Sequence, residues 1–148
     1  MTTRVFLDAS VLFSAAHSQS GASREILRSA LRREIVAVVS RHVVEEARRN
    51  LLRKAPTAVE AFEQLMELLS PEIAPNPSLS QLRAAASYIN LKDAPVLAAA
   101  LGAKVDYLLT LDRRHFIDNP KVAQESGLTP LTPDNLLAIL RREERAPG

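Results

Sequence analysis

Cysteine is absent from the 148-residue sequence, and so is tryptophan. The first absence excludes disulfide frameworks, cysteine-ligated zinc, iron–sulfur clusters and thiol nucleophiles together. It also favours an intracellular, cytoplasmic setting. Aromatic residues make up only 4%, too few for an extended stacking platform along single-stranded nucleic acid. No apolar run approaches the ~20 residues of a membrane span, and Met1–Ser10 lacks a signal-peptide pattern. The four glycines form neither a P-loop nor a dinucleotide fingerprint. His17, His42 and His115 are scattered, with no ligand spacing such as His-Glu-x-x-His.

What is present suits one globular domain: 47% hydrophobic and 24% charged residues, without internal repeats. The domain is expected over residues 1–142, with a flexible tail at 143–148. Charge is unevenly spread. Arg24–Lys54 holds nine basic residues against four acids, whereas Ala55–Ser80 holds four acids and no base. Arginine outnumbers lysine 15 to 4, and guanidinium forks suit phosphate oxygens. Such a distribution fits a polyanion-facing surface. Ordinary solvated helix faces would give the same counts.

Apolar runs place the strands. Arg4–Leu7 is short and ends at Asp8; Ile35–Val39 is β-branched nearly throughout; Tyr107–Thr110 is ended by Asp112. Shorter strands are expected at Glu72–Ala74 and Leu128–Leu131. Helical spacing predicts helices over Ala9–Ala16, Ser23–Arg33, Arg41–Lys54, Ala58–Leu69, Leu79–Ile89, Ala94–Leu101 and Asp134–Arg142. Ser40 is a ready N-cap for the third of these. The stripe Phe62, Leu65, Met66 and Leu69 reads as core, its alternative being a dimer face or partner groove. This alternation predicts an α/β fold around a mostly parallel sheet. Ligands in such sheets bind beyond the carboxyl ends of the strands.

Acids stand at those positions. Asp8 follows the first strand, Asp112 lies two residues after Thr110, and Asp93 starts a helix in Leu91-Lys92-Asp93-Ala94-Pro95. A fourth comes from Glu45 or Glu46. Val43, Val44, Ala47 and Leu51 form the buried face of their helix, and Glu46 lies nearer its edge. Four acids at one edge would repel one another without a cation, and oxygen-only ligands select Mg²⁺ or Mn²⁺. Each aspartate taken singly is also a good helix or turn cap. His115, close behind Asp112, reads as a packing or capping residue.

Val5-Phe6-Leu7-Asp8-Ala9-Ser10-Val11-Leu12 resembles the opening strand and aspartate of PIN-domain nucleases. The stretch from Ser40 to Leu51 resembles the family's second acidic segment, and the spacing from Ser40 selects Glu46. Asp93–Ala100 resembles the third, and Val105–Phe116 the fourth and most specific. The ordered set covers roughly Val5–Leu140. The resemblance implies a three-layer α/β/α domain with the activity of a Mg²⁺- or Mn²⁺-dependent endoribonuclease.

By the same resemblance Asp8, Glu46, Asp93 and Asp112 are the metal-holding catalytic acids, with Thr110 and Ser10 orienting them or the attacking water. Many relatives are toxins of toxin–antitoxin pairs, so a cognate antitoxin and a homodimer are implied as partners besides RNA. Arg49, Arg53, Arg113 and Arg114 are candidates to position backbone phosphates. The alternative is a catalytically silent PIN module that binds RNA or a protein. A receiver domain would want paired acids after the first strand, and a haloacid-type phosphatase an Asp at position 10; Ala9 and Ser10 supply neither.

Overall fold

Five short strands carry the architecture of the computed structural model, which describes residues 2–145. They are β1 (Thr3–Leu7), β2 (Ile35–Val39), β3 (Glu72–Ile73), β4 (Tyr107–Leu109) and β5 (Thr129–Leu131). Every pairing is parallel, in the order β3-β2-β1-β4-β5. The sheet is thus wholly parallel where a mostly parallel one was expected. Val5, Phe6, Leu7, Val38, Val39, Leu108 and Leu109 are completely buried, as continuous apolar strands covered on both faces should be.

Six α-helices fill the first three crossovers, α1 (Ala9–His17), α2 (Ala22–Leu31), α3 (Arg41–Lys54), α4 (Val59–Leu69), α5 (Leu79–Ala86) and α6 (Ala94–Gly102), and α7 (Pro133–Arg145) follows β5. Helices α1 to α4 pack on one another, and α5 packs on α6. Right-handed crossovers put these two groups on opposite faces of the sheet, which gives the three layers. Phe62 and Leu65 of α4 are buried, with Met66 and Leu69 packed partly against the core. That stripe is core.

Several element boundaries differ from the sequence reading by one or more residues, and some differences have a clear cause. Helix α5 ends at Ala86, and Ser87 and Tyr88 donate to the carbonyls of Ala84 and Ala85 in a tightened last turn. Helix α7 continues through 143–145, inside the expected tail, because Arg141-Arg142-Glu143-Glu144-Arg145 are all good helix formers. Residues 146–148 of that tail lie outside the described residues. Two π-type turns, Arg113–Ile117 and Val122–Ser126, follow β4 where no element was anticipated.

The strand order matters for function. The chain winds outward from β1 through β2 to β3, then crosses back to place β4 on the other side of β1. The reversal leaves a crevice beyond the carboxyl ends of β1 and β4. Ser40 fixes the neighbouring helix: its buried hydroxyl accepts a hydrogen bond from the Val43 N–H at 3.3 Å and so starts α3. Ser40→Ala is expected to lower stability by about 1 kcal/mol, read as a lower urea midpoint at unchanged slope.

Candidate active site

Asp8 sits where β1 ends. Its N–H donates to the Leu109 carbonyl at 3.0 Å, extending the β1–β4 ladder by one step. Its backbone then turns from an extended conformation into α1. Oδ1 accepts from the Ala9 N–H at 2.8 Å, an N-cap. Oδ2 accepts from the Thr110 hydroxyl at 2.8 Å and the Ser10 hydroxyl at 3.1 Å. Capping and a place in the acidic edge therefore coexist in one side chain, one oxygen for each.

Asp8 is only 8% exposed. Burial pushes its carboxyl above the ordinary aspartate range, against the hydrogen bonds from Thr110, Ala9 and Ser10, and the charge of Glu46 pushes it further the same way.

The two hydroxyls work in both directions. Thr110 Oγ1, fully buried, accepts from the Asp112 N–H at 3.1 Å. Ser10 Oγ accepts from the Leu111 N–H at 3.0 Å. Each thus donates to Asp8 and accepts from the loop after β4, tying that loop to the end of β1. Asp112 in turn starts the first π-type turn: Oδ1 accepts from the His115 N–H at 3.1 Å, and Oδ2 lies 2.8 Å from His115 Nδ1.

Asp93 stands at the start of α6 without capping it through its side chain. Its Oδ2 accepts instead from Asn90 Nδ2 at 2.8 Å, while its N–H donates to Asn90 Oδ1 at 3.1 Å. Ligand atoms of Asp93, Asp112 and His115 all lie within 4.8 Å of one another. Among the described residues this is the group close enough to share one cation; Asp8 and Glu46 stand outside it. Glu46 is half-buried on α3 and Glu45 exposed. Glu46 reaches Asp8 through its charge, and its nearest basic group is His42 Nε2 at 3.9 Å.

Asn90 carries no signal in the sequence reading, and of the two roles read for His115 the structure excludes only packing. The His115 ring is 45% exposed and bonded to Asp112, so it does not pack in the core. Its spacing three residues after Asp112, at the start of a turn, was the available signal. Arg49, Arg53, Arg113 and Arg114 are all exposed, and among the described residues none is held in an ion pair. Arg53 donates to Asn50 Oδ1. Arg48, by contrast, is tied to Glu63.

Residues 4–114 match the family model described as the PIN domain. The chain belongs to the PIN-domain family. This PIN domain is similar in fold to PAE2754 from Pyrobaculum aerophilum, with a TM-score of 0.64 and 19% identity over 95% of this chain and 90% of that one. It is also similar to VapBC2 from Rickettsia felis, solved bound to a DNA fragment from their promoter. There the TM-score is 0.59 and the identity 13%, over 88% of this chain and 98% of that one. No curated protein matches the sequence. PIN domains are generally nucleases that use divalent metals. No helix among the described residues is long and apolar enough to cross a membrane.

The residues present fit such a metal. Two carboxylates and an imidazole lie within reach of one point, beside two further acids, and the donor set is mainly hard oxygen. The buried Asp8 carboxylate sets a testable pH dependence. Because its native proton affinity is raised, stability that is complete below the ordinary aspartate range is lost as pH rises through the raised native value. Asp8→Asn does not titrate there. In EDTA, the variant's melting temperature relative to the unaltered protein should therefore climb from pH 4 to pH 8 and level off. A difference independent of pH would contradict the burial argument.

Proposed function

We propose that this PIN domain is an endoribonuclease that hydrolyses RNA phosphodiesters with Mg²⁺ or Mn²⁺ held by its acidic edge. The observation that carries the reading is the meeting of Asp93 and Asp112 ligand atoms at the β1–β4 crevice of a PIN fold. In this reading Asp8, Glu46, Asp93 and Asp112 are the catalytic acids. A bound divalent cation would acidify a water and stabilise charge on the phosphate oxygens.

The chain's own groups divide the remaining work. Thr110 and Ser10 hold the Asp8 carboxylate in one orientation through Oδ2. They also keep the Asp112 loop in register with it. Asn90 orients Asp93. Glu46, with no hydrogen-bond partner fixing its carboxylate among the described residues, is the acid free to take a proton from the attacking water. Arg49, Arg53, Arg113 and Arg114 would contact backbone phosphates, which fix the position of the strand without reading its sequence. A cognate antitoxin and a second copy of the chain complete the proposed partners; the likeness to VapBC2 supports the first.

The test is cleavage of a mixed structured-RNA panel with Mg²⁺ or Mn²⁺, against EDTA and against Asp8→Asn and Asp112→Asn. Metal-dependent cutting that falls about 100-fold or more in both variants is the expected result. RNA left intact by every protein, with binding retained, would replace this reading by a silent RNA-binding module.

A further inference from the structure

We infer that His115 is a nitrogen donor to the cation and that it makes this site prefer Mn²⁺ to Mg²⁺. The inference rests on the metal-dependent reading above and goes beyond it, since that reading treats Mg²⁺ and Mn²⁺ alike and gives His115 no part in holding either.

The geometry is specific to this side chain. One ring nitrogen of His115 lies in the same 4.8 Å group as the Asp93 and Asp112 oxygens, and Nδ1 is 2.8 Å from Asp112 Oδ2. A neutral imidazole carries one N–H and one lone pair. With an N–H on Nδ1 donating to Asp112, the lone pair on Nε2 faces away from that carboxylate, so a cation shared with Asp112 does not bind there. A cation that takes the place of that proton meets the Nδ1 lone pair and the Asp112 oxygen together, so Nδ1 is the donor. His42 makes no such set: its Nε2 approaches Glu46 alone, at 3.9 Å.

His115 is also held in place before any cation arrives. Its N–H donates to Asp112 Oδ1 at 3.1 Å, and its carbonyl accepts from Asn119 Nδ2 at 3.2 Å. The next residue, Phe116, is 1% exposed and anchors the turn in the core. The imidazole is nevertheless open to solvent on one side, with 45% of the side chain exposed, so a hydrated cation can reach it.

The consequence follows from ligand preference. Mg²⁺ demands oxygen in a near-octahedral shell and keeps several waters, so an imidazole adds little to its binding. First-row transition dications accept imidazole nitrogen more readily. A site with two carboxylates and one imidazole therefore gains on Mn²⁺ and not on Mg²⁺.

The experiment is calorimetric titration of the full chain with Mn²⁺ and, separately, Mg²⁺, for the unaltered protein, His115→Ala and His115→Gln. Nitrogen coupling in pulsed electron paramagnetic resonance of bound Mn²⁺ is recorded alongside. Melting curves in EDTA confirm that both variants fold. The expected result is tighter Mn²⁺ than Mg²⁺ binding, with nitrogen coupling, in the unaltered protein. Both variants should lose the coupling and about tenfold in Mn²⁺ affinity, with Mg²⁺ affinity unchanged. Cation binding without nitrogen coupling, or with the same Mn²⁺ to Mg²⁺ ratio in all three proteins, overturns the role of His115 and leaves the nuclease reading standing. Absence of binding by either cation to the unaltered protein overturns both.

Discussion

The hydrogen bond from Thr110 to Asp8 joins two residues 102 positions apart in the chain, and the acidic edge is built around it. An aspartate this deeply buried is costly unless its oxygens are bonded. Thr110, Ser10 and the Ala9 N–H supply those bonds. The same two hydroxyls accept the N–H groups of Leu111 and Asp112. Desolvation of one carboxylate is thereby coupled to the position of the next. The parallel β1–β4 pairing brings these residues to the same level, and the Asp8 N–H carries that pairing past the strand.

The amino-terminal half of β1 is secured by different chemistry. Arg4 of β1 bonds Glu72 at the start of β3 and the Ala103 carbonyl, while its N–H donates to Asp106. These contacts hold the outer strand and the entry into β4. The carboxyl-end loops carry a buried acid whose ionisation burial disfavours, on a sheet whose strands are held by apolar packing and this clamp.

Much of this was legible in the residues. Apolar runs too short for helices gave the strands, and the acids directly after them gave the edge. The periodicity of Val43, Ala47 and Leu51, all fully buried, put Glu46 rather than Glu45 on the inner side of α3. Other features lay beyond local pattern. The two π-type turns depend on Phe116 and Val122 finding the core, a tertiary fact with no periodic signal. The bond between Asn90 and Asp93 is a turn contact hidden in a stretch that helical spacing would have extended through Ile89. A single histidine beside an acid reads as a cap, which its bonds to Asp112 fit, and the approach of Asp93 from α6 is a tertiary fact that the local sequence does not show.

The central claim is that Asp93 and Asp112, brought together at the β1–β4 crevice, hold a divalent cation. Anomalous diffraction from crystals soaked in Mn²⁺ tests it most directly. The account predicts a manganese peak in contact with both carboxylates and reduced to background in Asp112→Asn. A map with no peak between them, or with manganese only at other surface acids, would contradict it.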